Sequence, residues 1–349
     1  TTKEINDSYV YRLPVIFHVI YKDKTNAKQY ISQSRLATIL ARVNELYRGN
    51  IYGKSENINV EFQLATTNEQ GHKLALPGVE YIPWGGNYPI DPYELMGGKT
   101  RAYAAYIWDP NEYINVMVYN FADEDGSDGI TLGISHMPYV TKSASVLPGL
   151  NTVPETTLRK ENLGYAYCSS INSLYIDEES TRYGADKGKI SYNYNSSDVI
   201  VTLAHELGHY LGLHHTFTQE AQSQGYKMID SCEDTDYCKD TPSYNRIAYE
   251  RDLSSYLNSY RQNRDLRVLF KRSNCKGNDF YSENIMDYSF SYSFSFSLEQ
   301  KERIRKVLYY SPLIPGPKLQ IGTNKRLITT KASGKQTDKV IDLPIMIAK

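Results

Sequence analysis

An α/β fold is predicted for this chain by three stretches that differ in period and composition. Arg12 to Tyr21 is apolar almost throughout and rich in β-branched residues, the pattern of a central buried strand. From Leu36 onward, Ile39, Leu40, Val43, Leu46 and Tyr47 recur at helical spacing and make one apolar stripe. A second helix is expected to start at Ser196 or Ser197, with Val199, Ile200, Leu203, Ala204, Leu207 and Leu211 on its buried sides.

The other elements follow in chain order. Ser32 or Ser34 can cap the first helix, and Arg48-Gly49-Asn50 ends it. Asn59 to Thr66 alternates, with Val60, Phe62 and Leu64 facing one way and Glu61 and Gln63 the other, as a half-buried strand does. Residues 67–100 read as loop, punctuated by Pro77, Pro83, Pro89, Pro92 and the pairs Gly85-Gly86 and Gly97-Gly98. Tyr113 to Phe121 is a further strand, Asp123 to Gly129 an acidic turn, and Ile130 to Met137 another strand. Residues 141–195 are polar and read as irregular. Residues 218–282 read as loop with one short helix around Leu253 to Leu266. Ser297-Leu298-Glu299-Gln300 is a capping box that opens a helix with Ile304, Val307 and Leu308, which Pro312, Pro315 and Pro317 stop. The tail is polar and basic at first, then ends in Val340 to Ile347, which either adds a strand or extends from the domain.

Chemistry is concentrated at His205-Glu206-Leu207-Gly208-His209-Tyr210-Leu211-Gly212-Leu213-His214-His215, which fits H-E-x-x-H-x-x-G-x-x-H. Residues four apart share a helix face, so His205 and His209 can offer nitrogens to one metal. Glu206 sits one step round the turn, where it can reach a water on that metal. Gly212 ends the helix through a left-handed conformation, and the turn lets His215 swing back as third ligand. Three neutral histidines leave zinc an open position and its full charge, which lowers the pKa of bound water to about 7. The five fixed positions would meet by chance in roughly one such chain in a hundred thousand. A helix of hydrogen-bonded core histidines, or a zinc site kept for structure alone, has no use for Glu206. His214 occupies a variable position of the motif and reads as a cleft-wall or surface residue.

Composition bounds the partners. A net charge of −1 excludes nucleic acid or an anionic membrane held by bulk charge. No apolar run approaches a membrane span; the best, Val15 to Tyr21, contains His18. The chain starts at Thr1 without a leader, as a processed secreted protein or a trimmed piece would. A secreted, periplasmic or surface-anchored location and a monomeric state are expected, and the zinc motif, a pattern of zinc peptidases, points to a protein or peptide partner. Cys168, Cys232, Cys238 and Cys275 have no C-x-x-C spacing, so two disulfides in an oxidising compartment is the leading reading and free buried thiols the alternative.

Beyond the histidines the chain carries His215-Thr216-Phe217, Cys232 to Pro242, Asn284-Ile285-Met286-Asp287-Tyr288, and Phe296-Ser297-Leu298-Glu299-Gln300 running on to Arg303-Ile304. This order resembles the pappalysin family of metzincin metallopeptidases. The match is tight from about 196 to 310 and looser but collinear from Tyr9 to Phe121. The resemblance implies a metzincin-like catalytic domain over 1–312, with an upper mixed-sheet half (about 1–212) and an irregular lower half (about 213–312) flanking a zinc cleft. Residues 313–349 would be a C-terminal tail outside it.

The resemblance further implies that Met286 is the Met-turn methionine, an apolar floor beneath the histidines. Tyr288 would donate to the metal-bound oxyanion; with 32 tyrosines in the chain, position alone singles it out. Asp236, Asp240 and Thr241 resemble a calcium-binding loop of some relatives, and the carboxylates there, Glu233 and Asp234 included, suit calcium as they suit a merely solvated acidic loop. Cys232 and Cys275 occupy places that look like a family disulfide. No cysteine follows Asp287-Tyr288, where the family has a second bridge, and Cys168–Cys238 is the candidate replacement. In enzymes of this kind an edge strand beside the active helix can pair with an extended substrate, and Ile134 to Met137 is the candidate. The expected reaction is endoproteolysis, with Glu206 as general base for a zinc-activated water. The alternative is a secreted zinc protein, silent or latent, that docks peptides or glycans. In a latent form an upstream segment or the tail would act as inhibitor.

Overall fold

The apolar run at the start of the chain becomes the axis of a seven-stranded sheet. The structure is a computed structural model, and its described residues are 8–98, 101–122, 129–141, 147–154, 157–184, 193–263, 265, 267–319 and 339–349. Strand β1 (Tyr11–Tyr21) is followed by helix α1 (Gln33–Arg48), β2 (Val60–Leu64) and β3 (Val79–Pro83). At eleven residues β1 is long enough to pair in parallel with β2 along its first half and with β3 along its second. Short helices α2 (Pro92–Gly97) and α3 (Arg101–Ala104) lead to β4 (Ile114–Tyr119), which lies parallel on the other side of β1. Strands β5 (Gly133–His136), β6 (Tyr139–Thr141), β7 (Asn151–Val153) and β8 (Ser169–Asn172) complete the upper half. β8 runs parallel to β4, whereas β5 runs antiparallel to β8. β6 and β7 form a separate small pair.

Helix α4 (Val199–Tyr210) and α1 pack side by side beneath this sheet. Every member of the α1 stripe from Leu36 to Tyr47 is buried, and burial of each such aliphatic side chain contributes about 1.5–3 kcal/mol. Tyr47 also donates its hydroxyl to the Ala204 carbonyl at 3.0 Å, which ties α1 to the middle of α4. Ser32 caps α1 by accepting Arg35 N–H.

The chain after α4 forms the lower half: the hairpin β9 (Gln219–Ala221) with β10 (Tyr226–Met228), helices α5 (Arg246–Asn263) and α6 (Arg267–Phe270), the pair β11 (Lys271–Ser273) and β12 (Asp279–Tyr281), and α7 (Leu298–Tyr310). The capping box at Ser297 and Gln300 opens α7 as expected. The final strand, β13 (Ile347–Ala348), returns to the upper half and pairs antiparallel with β5. Among the described residues no helix is long and apolar enough to cross a membrane.

Several expectations change. Residues 67–100 are not all loop, because Val79–Pro83 joins the sheet with its proline at the strand end, where the missing N–H costs least. The region 141–195 contains β8, a strand between β4 and β5. It reads as polar because Ser169, Ser170 and Asn172 are buried with partners: Ser135 at 2.8 Å, the Tyr119 hydroxyl at 3.1 Å and Phe121 N–H at 3.3 Å respectively. The helix expected around Leu253 to Leu266 starts earlier, at Arg246. Leu313, Ile314 and Leu319, just past the stop at Pro312, are buried in the main core.

Candidate metal and catalytic site

Helix α4 is capped by Asp198, not by Ser196 or Ser197. Its Oδ1 accepts the Ile200 and Val201 N–H groups, a two-donor arrangement that neither serine hydroxyl provides. The helix ends where Gly212 adopts φ 96°, in the left-handed region where a Cβ is penalised. Gly212 and Leu213 N–H groups close the turn on the His209 and Gly208 carbonyls, at 2.9 Å each. The reversal brings His215 alongside His205 and His209.

The three imidazoles converge. Nε2 of His209 lies 3.0 Å from Nε2 of His205 and 3.0 Å from Nε2 of His215, and the remaining pair is 3.2 Å apart. Each Nδ1 is already committed: His205 to the Ile285 carbonyl at 2.8 Å, His209 to the Leu213 carbonyl at 2.7 Å, and His215 to Gln219 Oε1 at 2.7 Å. Because those acceptors hold the protons on Nδ1, three Nε2 lone pairs face one another. Burial lowers the pKa of His205 to about 4 and of His215 to about 3, and drives that of His209 well down, so all three are neutral near pH 7. Facing lone pairs repel unless a cation lies between them. Two ligands of a tetrahedral zinc are about 3.3 Å apart for Zn–N of about 2.0–2.1 Å, so the donor set fits that metal.

Glu206 is buried, and its Oε2 has no hydrogen-bond partner among the described residues. Its side chain packs directly on Gly133 of β5, where a Cβ would lie only 2.6 Å from its Cγ and Oε1. Burial holds its pKa well above the ordinary carboxylate value. Met286 is fully buried against α4, and a Cβ on Gly208 would lie 2.5 Å from its Sδ. Tyr288 stacks edge-on against His215, with ring centroids 4.7 Å apart, and faces His205 at 6.1 Å. Burial, then the charge of Glu206, raises its pKa. Asp287, between Met286 and Tyr288, accepts the Tyr244 hydroxyl at 2.5 Å and the Ser282 hydroxyl, with Arg246 and Arg272 guanidinium nitrogens 3.7 and 3.8 Å away. This buried charge network fixes the turn under the histidines.

His214 is neither ligand nor surface residue. It is buried, edge-on to Tyr226 and Tyr237. Nothing among the described residues supports the expected calcium loop. Asp236 accepts Cys238 N–H at 3.0 Å and the Thr241 hydroxyl at 2.5 Å, while Asp240 accepts the Ser297 hydroxyl and Glu299 N–H at 2.6 and 3.0 Å. These carboxylates tie down their own loop and the start of α7. Among the described residues, the histidine trio is the one cluster whose ligand atoms converge. Cys232 and Cys275 form the expected disulfide. Cys168 and Cys238 do not pair: both are free and buried, Cys168 just before β8 and Cys238 in the 232–242 loop.

Sequence reasoning missed Gln219, Gly133 and the Arg246–Arg272 pair. Gln219 lies four residues past His215, a spacing that could have been read. The others become neighbours of the site only through the fold.

Residues 161–309 match the family model Peptidase M43, described as pregnancy-associated plasma protein-A. No curated protein matches the chain by sequence. Among solved structures, mature mirolysin of Tannerella forsythia in complex with a cleaved peptide is similar at 19% identity and TM-score 0.50, over 86% of this chain and 92% of that one. A promirolysin mutant from the same organism is similar at 18% identity and TM-score 0.50, over 86% and 81%. Mirolysin in complex with compound 9 is similar at 19% identity and TM-score 0.52, over 86% and 92%.

Proposed function

We propose that this chain, a metallopeptidase of the pappalysin type, is a zinc-dependent endopeptidase with Glu206 as its general base. The observation that carries the reading is the convergence of three neutral Nε2 donors, each oriented through its Nδ1, next to a buried carboxylate with an unpartnered oxygen. His205, His209 and His215 would hold the metal. Zinc bound there supplies a Lewis acid that brings the pKa of water to about 7 and polarises a carbonyl.

The chain's own residues do the rest. Glu206 takes the proton of the attacking water and passes it to the leaving amine nitrogen. Its contact with Gly133 fixes where that carboxylate sits. Tyr288 keeps its phenolic proton because burial raises its pKa, so it remains a donor for the oxyanion that develops on the scissile carbonyl. Met286 acts as the Met-turn floor on which the imidazoles rest. β5 offers main-chain groups beside Glu206, so the substrate is an extended segment of protein or peptide. No acyl-enzyme forms in this scheme, and serine and cysteine reagents should leave activity intact.

The test is cleavage of casein by the zinc-loaded chain, with 1,10-phenanthroline and Glu206→Ala as controls. Glu206→Ala should keep its zinc and its fold while turnover falls by about 10²–10⁴-fold. Turnover at the parent rate in that variant would remove Glu206 from the role of base.

A further inference from the structure

We propose that the chain's own segment Leu343–Lys349 is an autoinhibitory strap that fills the substrate groove as a bound peptide would. The inference rests on the peptidase reading for what the groove is, and on separate contacts for what fills it.

β13 is the strand that covers the free edge of β5, with Ile347 opposite His136 and Ala348 opposite Ser135. Just beyond this register Met137 N–H donates to the Met346 carbonyl at 2.9 Å. On the other side Ile347 N–H donates to the Gln224 carbonyl at 3.0 Å, and a Cβ on Gly225 would lie 3.1 Å from the Ile347 carbonyl oxygen. The strap is therefore held main chain to main chain, between the upper-half edge strand and the tip of the β9–β10 hairpin below. That is how a groove takes extended peptides with little regard to sequence. Leu343, Ile345 and Ile347 alternate along it and are all buried, 2–4% exposed, so the groove takes apolar side chains at every second position. Tyr139 donates its hydroxyl to the Pro344 carbonyl at 2.7 Å.

The strap leads to the reaction centre. Tyr288 Oη donates to the Lys349 carbonyl oxygen at 2.5 Å. The phenol assigned to the oxyanion is thus engaged by the chain itself. A substrate cannot pair with β5 or reach Tyr288 while these contacts stand. Because the strap is tethered, its effective concentration is on the order of millimolar, enough to compete with substrates.

The test compares the full chain with a chain ending at residue 338. A fluorescein-labelled peptide of sequence 339–349 is the binding probe, read by anisotropy on the zinc-loaded proteins. Cleavage of casein is the second readout. The expected result is probe binding to the shortened chain but not to the full chain, with casein cleavage faster by about tenfold or more once the strap is gone. Full chain carrying Ile347→Asp, which puts a charge into the apolar groove, should behave like the shortened chain and decides the matter if the shortened chain melts early. Equal probe binding by full and opened chains, or no binding by a folded opened chain, would overturn the strap. If the opened chains bind the probe and none of them cleaves casein, the strap stands and the peptidase reading falls.

Discussion

Gly133→Ala tests the position of Glu206, the proposed base, without touching the three histidines. A Cβ on Gly133 would lie 2.6 Å from Cγ and Oε1 of Glu206 and 2.9 Å from its Cδ. Ordinary contacts between such atoms are about 3.5–4.0 Å, so the Glu206 side chain must retreat by about 1 Å. Misplacing a reacting group by that distance costs about a hundredfold in rate. The strand itself tolerates alanine, and none of the Nδ1 or Nε2 contacts of the histidines involves β5. The expected result is kcat/KM lower by about a hundredfold, with zinc content and thermal midpoint close to the parent. Gly85→Ala is the control, because a Cβ there meets nothing within 4 Å. The assay is hydrolysis of a quenched fluorescent peptide, with metal content measured on the same samples. Parent-like activity in zinc-loaded Gly133→Ala would refute the claim that Glu206 must sit against β5 to act. Lost zinc would show instead that β5 supports the metal site.

Other predictions address the support around the site. Gln219→Leu removes the acceptor that orients His215, and zinc affinity should fall about 10–100-fold in a chelator competition; an unchanged affinity would mean that the ring needs no such partner. Replacing Cys232 and Cys275 by serine opens a loop of sequence separation 43 and should cost about 4 kcal/mol by the chain-entropy model, read from urea unfolding. A midpoint and slope equal to the parent would assign the bridge no role in stability. His136 is buried between the Cys168 backbone and the Met96 carbonyl, and burial lowers its pKa to about 4. Its unfolded value is higher, so its contribution is whole above pH 6.5 and is lost as pH falls toward 4, by about 1.4 kcal/mol per pH unit. The difference in unfolding free energy between the parent and His136→Gln should therefore shrink from pH 7 to pH 4.5, and a constant difference would contradict the burial argument.

Much of the site is legible because its determinants are local. Four residues separate His205 from His209, and helical geometry alone puts them on one face. Gly212 marks the reversal because that turn needs a left-handed residue. The Ser32 cap, the Ser297–Gln300 box and the stripe from Leu36 to Tyr47 were readable for the same reason: each is decided within a turn or two of the chain. The strand Arg12 to Tyr21 was readable because burial on both faces leaves an unbroken apolar run.

Local sequence pattern thus accounts for the histidine cluster, the helices that frame it and the central strand. The tertiary structure decided the rest, because those features depend on pairs far apart in the chain. Ser169–Asn172 is an inner strand only because Tyr119, Phe121 and Ser135 supply partners for its polar side chains. Asp236 and Asp240 fasten the loop and the start of α7 because the fold brings Thr241, Ser297 and Glu299 to their oxygens. Cys168 and Cys238 stay apart because one sits just before an inner strand and the other in the lower half. Residues 343–349 carry an apolar alternation that would suit any edge, and only the backbone of β5 and of Gln224 determines where they lie.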